Sequence, residues 1–143
     1  MSKIKNDFPE IFSHSFKIPV RITDLNYGDH VGNDSLVSII HESRVQFLQH
    51  YNYTELNIGG IGLIMANLTI EFKKEIFYPA LIEVNIGAAN VAKVSFDLLY
   101  KLSVNRGDVF FDVAYAKSGM VAYDYEKKKV ALLPENFKAI LTA

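Results

Sequence analysis

The order of apolar and polar positions predicts one long helix in the first half of the chain. Over residues 33–51 apolar side chains recur at helical spacing around most of the circumference. The polar residues of this segment share one narrow arc, and they are Ser35, Ser38, Glu42, Gln46 and Gln49. The helix is therefore predicted to be buried on nearly every side, with Asn33 or Asp34 as its N-cap.

Elsewhere the spacing changes to every second residue, which is typical of strands. The four residues 105–108, Asn-Arg-Gly-Asp, predict a hairpin turn between the last two long strands. One buried helix among hairpin-linked strands predicts a single α+β domain over residues 1–143, an antiparallel sheet wrapped around the helix. The predicted strands are 18–22, 68–73, 82–86, 94–104 and 109–123.

Composition excludes several kinds of partner and chemistry. The 15 basic and 16 acidic residues give a net charge of −1, so we expect neither nucleic acid nor an anionic membrane as partner. The chain has no cysteine, which excludes disulfides and thiolate chemistry. No window offers the ~18 apolar residues of a membrane helix, and the first residues lack an apolar run, so we expect a cytoplasmic protein.

The stretch TDLNYGDHVGNDSL at residues 23–36 carries more chemistry than a turn requires. It places aspartates, asparagines, a histidine and glycines directly before the predicted helix. Taken singly, Asp24, Asn26 and Asn33 are ordinary loop and capping residues. Their convergence on one helix entrance, together with His30, predicts a functional site there.

The segments DLN at 24–26, HVGN at 30–33 and HESR at 41–44 carry a family resemblance. With the predicted order of elements from Phe16 to Tyr125, the chain resembles the hot-dog-fold acyl-CoA thioesterases of the 4-hydroxybenzoyl-CoA thioesterase type. The resemblance implies a homodimer, or a dimer of dimers, with sheets edge to edge. It also implies an acyl-thioester, on coenzyme A or an acyl-carrier protein, bound in a tunnel at the dimer interface.

The loop departs from the family pattern at Asn26. Many members carry Asp-x-Asp in this loop, with the second Asp as nucleophile or general base. A neutral carboxamide can position a water or a carbonyl, but it cannot accept a proton near neutral pH. The loop also resembles that of plant acyl-carrier-protein thioesterases, although His30 lies two residues later than their histidine.

Thioester hydrolysis needs an oxyanion site and a base. Amide groups at Asn33 and Asp34, on the N-terminus of the helix, would supply donors worth roughly 3 to 4 kcal/mol each. Two bases remain open: His30, because histidine is the usual side-chain base of enzymes, and Glu42, if the polar face of the helix lies in the tunnel. Asp24 would then orient His30 or Asn26.

The resemblance also suggests which residues contact the substrate. The segment Gly62, Leu63 and Met65 is expected to border the acyl pocket. Lys73 is expected to meet the phosphates of coenzyme A, with Lys74, Lys93 and Arg106 as further candidates. The run 127–129, three lysines, favours a solvated turn instead.

Two other functions fit the same fold. A non-catalytic module that binds acyl-CoA or another small ligand would explain Asn26 as a loss of activity. A dehydratase is disfavoured because a His-Phe-Pro-Gly-like loop is missing. The spacing of His30 and His41 matches no known ligand pattern, so we expect no metal, and we expect no cofactor apart from the coenzyme A of the substrate.

Overall fold

The computed structural model describes residues 8, 9, 12 and 14–142. In these residues, six strands and two helices follow one another. The strands are β1 (His14–Pro19), β2 (Gly62–Phe72), β3 (Leu81–Ala89), β4 (Ser95–Arg106), β5 (Val109–Asp124) and β6 (Lys129–Val130). The helices are α1 (Asn33–His50) and α2 (Glu135–Leu141), and a short 3-10 turn covers Ile22–Asp24.

The strands form one antiparallel sheet in the order β1-β3-β4-β5-β2, with β6 paired to the end of β5. The sheet wraps around α1, which confirms the predicted α+β architecture. Alternate side chains of β4 fill the core, as the period of two predicts, and they are Phe96, Leu98, Tyr100, Leu102 and Val104. Burial of each large apolar side chain contributes about 1.5 to 3 kcal/mol.

Helix α1 buries the face that the sequence pattern assigned to the core. Leu36, Ile40 and Phe47 are at most 2% exposed, whereas Ser38, Glu42 and Gln49 face solvent. The predicted N-cap is wrong, because Gly32 occupies that position and Asn33 is the first helical residue. No side chain caps the first turn.

Two further boundaries, the end of β1 and the start of β2, differ clearly from the sequence prediction. The first strand ends at Pro19, because the buried Asp24 carboxylate accepts a bond from the Arg21 amide and closes the 3-10 turn. Strand β2 begins at Gly62 rather than 68, because a bulge between Met65 and Asn67 shifts the alternation by one residue.

The tail after residue 134 forms helix α2, which the sequence did not predict. Its Phe137 is fully buried against the rings of Tyr53 and Phe96. None of the helices in the described part of the chain has the length and apolar content needed to cross a membrane.

Candidate active site

The loop before α1 is closed by its own hydrogen bonds. The Asn26 amide donates to the His30 carbonyl at 2.8 Å, and Leu25 and Val31 form an antiparallel bridge. The Asn26 side-chain oxygen accepts the Gly28 amide at 2.8 Å, which is an Asx turn. The polar composition of this loop is therefore partly a requirement of its tight fold.

Two backbone contacts fix this loop against the rest of the molecule. The Val31 amide donates to the Ile76 carbonyl at 2.8 Å, and the Gly32 amide donates to the Asp24 carbonyl at 3.0 Å. A Cβ on Gly32 would lie 2.7 Å from an oxygen of the Asp34 side chain, so a larger residue does not fit without a shift. These contacts hold His30 at the entrance of α1.

Asp24 binds Arg21 and stabilises the 3-10 turn, rather than orienting His30. Its carboxylate is 4% exposed and accepts the Arg21 amide at 2.8 Å and the Arg21 guanidinium at 3.3 Å. The structure records no bond from this carboxylate to His30 or Asn26. The orienting role that the sequence suggested for Asp24 is therefore absent from this arrangement.

A cleft of about 210 Å³ opens beside the N-terminus of α1. His30 Nε2 lies 3.5 Å from Glu75 Oε2, with the two side chains 32% and 63% exposed. In the described part of the chain, the backbone amides of Asn33, Asp34 and Ser35 at the start of α1 have no backbone acceptor, whereas the Leu36 amide donates to the Gly32 carbonyl at 3.0 Å. The cleft is lined by His30, Val31, Asn33, Leu36, Phe72, Lys73, Lys74, Glu75, Ile76 and Val113.

Glu75 is a site residue that sequence reasoning missed. It lies 45 positions after His30 in the chain, within a charged loop that reads as an ordinary solvated turn. The bond from the Val31 amide to the Ile76 carbonyl brings this loop against the helix entrance. An acidic residue next to two lysines forms no sequence pattern that would indicate a functional site.

Glu42 lies on the other side of α1. It is nine residues from Asn33, and about 100° per residue places the two on opposite faces of the helix. Its carboxylate accepts a bond from Gln46 at 2.8 Å. Glu42 borders a separate cleft of about 390 Å³, which it shares with Ile18, Pro19, Arg21, Asp24, Ser38, Ile39 and Gln46. The two candidate bases are therefore not brought together within one chain.

The predicted acyl-pocket segment also lies away from the cleft. Gly62 and Leu63 are buried at the start of β2, and Tyr125 donates a bond to the Leu63 carbonyl at 2.8 Å. Met65 is 41% exposed and its sulfur lies 3.9 Å from Arg44. The cleft meets β2 at its other end, where Phe72 lies.

A buried polar network joins α1 to the sheet near Met65. Arg44, 5% exposed at its side chain, donates to the Tyr100 hydroxyl at 3.3 Å and pairs with Glu55 at 3.5 Å. The Tyr100 hydroxyl also bonds Ser118 at 2.7 Å, and burial raises the pKa of Tyr100. His41 contacts the same Glu55 carboxylate at 2.6 Å. This network anchors the middle of the helix to strands β4 and β5.

Several solved structures share this fold. The PA2801 protein of Pseudomonas aeruginosa is 19% identical, with a TM-score of 0.81 over 91% of this chain and 98% of that one. A 1,4-dihydroxy-2-naphthoyl-CoA thioesterase from Synechocystis is 18% identical, with a TM-score of 0.78 over 90% and 94%. A gentisyl-coenzyme A thioesterase is 16% identical, with a TM-score of 0.76 over 91% and 100%. The architecture is thus the hot-dog fold.

A search of curated protein sequences gave no match. The family model of the thioesterase-like superfamily, in contrast, matches residues 20–141, which is most of the chain. The match includes the loop of His30, all of α1 and every long strand of the sheet except β1. The chain belongs to the thioesterase-like superfamily.

Proposed function

We propose that the protein hydrolyses acyl thioesters of coenzyme A in the cleft beside α1. The observation that carries this proposal is the His30–Glu75 pair, which shares the cleft with Asn33, the first residue of helix α1. A base and an oxyanion site on one wall are the two groups that thioester hydrolysis needs. Membership of the thioesterase-like superfamily supports the same reaction.

In the proposed reaction, the thioester carbonyl oxygen accepts bonds from amide groups at Asn33 and Asp34. His30 removes a proton from water, and the resulting hydroxide forms a bond to the carbonyl carbon. The tetrahedral intermediate collapses, the C–S bond breaks, and the imidazolium returns the proton to the departing thiolate. The products are a carboxylic acid and the free thiol, and Glu75 stabilises the imidazolium between the two transfers.

Asn26 takes a positioning role in this proposal. Its side-chain oxygen is occupied by the Gly28 amide, and a Cβ on Gly28 would lie 3.2 Å from His30 Nε2. The Asx turn thus sets the path of the chain that carries His30. Glu42 is the alternative base only if a second subunit brings it to the cleft.

We propose that the active form is a homodimer, or a dimer of dimers, joined through β2. This edge strand is eleven residues long with one charged residue, Glu71, and its outer side is unpaired in the described part of the chain. The opposite edge, β1, carries Lys17 and Pro19, which discourage strand pairing. A long edge with a single charged residue favours pairing with a second copy.

Pairing of two antiparallel β2 strands would also complete the acyl pocket. Each chain has Gly62, Leu63 and Met65 at one end of β2 and Phe72 at the other. A two-fold axis near the middle of the strand brings the first end of one copy towards the cleft of the other. The predicted acyl-pocket residues would then act on the partner's substrate.

A non-catalytic module that binds acyl-CoA is the second candidate. It is favoured by Asn26, which stands where many relatives carry a catalytic Asp. In this case the cleft would bind the thioester without cleaving it.

Release of free thiol from acyl-CoA thioesters with short, branched, aromatic and long acyl groups tests the proposal. Wild type is expected to turn over at least one of them, and His30→Ala is expected to lower kcat about 100-fold or more. Glu42→Gln in the second cleft is the matched control and should stay within about twofold. Binding without turnover by wild type would establish the non-catalytic module instead.

A further inference from the structure

Two segments with exposed aromatic side chains adjoin residues that line the cleft, since Phe77 follows Ile76 and the Phe111 ring contacts Lys74. Phe77 and Tyr78, in the loop between β2 and β3, are each 48% exposed. Phe110 in the β4–β5 hairpin is 59% exposed, and Phe111 beside it is half-buried. We name these four residues the aromatic rim. Exposed apolar side chains that lie near one another indicate a binding surface, whereas single exposed ones are common.

Two cations lie on the faces of these rings. The Lys74 ammonium is 5.2 Å from the centre of the Phe111 ring. The Arg106 guanidinium is 5.5 Å from Phe77 and 5.9 Å from Phe111. A ring face holds a cation by its quadrupole without neutralising the charge. Both side chains are thus positioned and keep their charge for a ligand.

In the described residues, neither of these two cations forms an ion pair with a carboxylate. Within the part of the chain that the structure describes, neither Lys74 nor Arg106 has a carboxylate oxygen within 4.0 Å. The neighbouring Lys73, in contrast, lies 3.8 Å from Glu71. Lys74 and Arg106 therefore offer the stronger anion site beside the cleft.

The rim is continuous with the proposed reaction site. Arg106 donates a hydrogen bond to the Glu75 carbonyl, and both Lys74 and Glu75 line the cleft that holds His30. A ligand that extends from His30 towards solvent therefore passes Lys74 and reaches the rim. The surface and the cleft form one path on a single chain.

From this arrangement we infer that the aromatic rim, with Lys74 and Arg106, binds the phosphorylated adenosine of coenzyme A while the acyl end lies beside His30. The inference rests on the proposed function. An adenine base stacks on an aromatic face, and phosphates pair with Lys and Arg, so the surface matches both parts of the nucleotide. A thioester on a carrier protein has no adenine, which leaves the exposed rings without a use.

The first test compares thioesters with one acyl group on coenzyme A, on 3′-dephospho-coenzyme A and on N-acetylcysteamine. Lys74→Ala and Phe77→Ala are expected to raise KM for the coenzyme A thioester about 5- to 20-fold. Phe77 is not among the residues that line the cleft, so Phe77→Ala should keep kcat within about twofold and should not change kcat/KM for the N-acetylcysteamine thioester, which lacks the nucleotide. Loss of the 3′-phosphate should reproduce part of the effect of Lys74→Ala.

The control variant is Lys127→Ala, in the exposed turn between β5 and β6. It removes the same charge far along the chain from the rim, and it should leave KM unchanged. Arg106→Ala is a less specific variant, because it also frees the Glu75 carbonyl. Equal KM values for wild type and Lys74→Ala on the coenzyme A thioester would overturn the inference while thioester hydrolysis stands.

A second measurement does not depend on turnover. Titration calorimetry of adenosine 3′,5′-bisphosphate should show binding to wild type, weakening with salt and in both Lys74→Ala and Phe77→Ala. Absence of binding, or a change of oligomeric state in these variants instead of a change in affinity, would overturn the inference. Failure of the proposed function is a different result, since wild type would then cleave none of the three thioesters.

Discussion

At the scale of single residues, the candidate chemistry depends on His30 and its neighbours. The histidine is held by loop bonds that the sequence encodes locally, through Asn26, Gly28 and Gly32. Its carboxylate neighbour, Glu75, comes from a distant loop. The position of the proposed base, His30, is therefore set by its own loop, and its contact with a carboxylate depends on a distant segment of the chain.

Glu75→Gln is expected to lower kcat about 3- to 10-fold, because it removes the charge that stabilises the His30 imidazolium. The effect is modest since Glu75 is 63% exposed and water screens the pair. Steady-state kinetics on the best acyl-CoA substrate measure it. Glu42→Gln is the control. An equal loss of kcat in both variants would contradict the role of Glu75 in stabilising the His30 imidazolium.

His14 predicts a pH dependence of stability. Burial, and then the charge of His50, lower the pKa of His14 below its ordinary value of 6.5. As pH falls below 6.5, the unfolded chain binds more protons at this residue than the folded chain does, so the free energy of unfolding decreases. Urea unfolding at pH 7.5 and 5.5 should show this loss.

The matched variant is His14→Gln, which removes the titrating group at the start of β1. Its unfolding midpoint should change less between the two pH values than that of wild type. If the unfolding midpoint of His14→Gln changes between the two pH values as much as that of wild type, another group causes the pH dependence.

At the scale of elements, strand β2 connects the polar network of Arg44 with the cleft that holds His30. Its first residues pack beside the Arg44 network, and its last residue lines the cleft. Gly62 is buried here because the ring of Tyr125 and the carbonyl of Glu55 occupy the space that a side chain would need. The glycine at this position therefore serves packing within its own chain.

Gly62→Ala is expected to destabilise the fold by about 1 to 3 kcal/mol. The added Cβ would lie 2.6 Å from a ring carbon of Tyr125 and 2.9 Å from the Glu55 carbonyl oxygen. Chemical denaturation measures the change in the free energy of unfolding. Gly87→Ala in β3 is the control, since its nearest contact would be an ordinary 3.4 Å to Phe12.

At the scale of the whole molecule, the two edges of the sheet differ. Edge strand β2 is long and nearly uncharged, whereas β1 is short and carries Lys17 and Pro19. This difference supports the proposal that two copies pair through β2 and enclose the acyl group between them. Burial of the exposed Met65 and Ala66 would follow from such pairing.

Ala66→Lys is expected to weaken self-association and thioesterase activity together. In a two-fold interface the lysine of one subunit lies close to the same lysine of the other subunit. Their like charges therefore oppose pairing. Light scattering coupled to size-exclusion chromatography measures the mass. Ser15→Lys on β1 is the control, and dissociation by that variant alone would place the interface on the other edge.

The sequence by itself determined the elements whose side-chain period is regular. The buried helix α1 and the long strands β4 and β5 follow from spacing, because one face of each must leave water. The hairpin at 105–108 follows from turn chemistry, and Gly107 and Asp108 do adopt positive φ angles. The loop at His30 was predicted as a candidate site from its local composition.

Only the tertiary structure decided which side chains share a cleft. It placed Glu42 in a separate cleft on the opposite face of α1 from the cleft of His30, paired Asp24 with Arg21, and brought Glu75 next to His30 from 45 residues away. It also placed the bulge that shifts β2 and buried Phe137 of the unpredicted α2. These outcomes depend on contacts between distant segments, and a local period carries no information about such contacts.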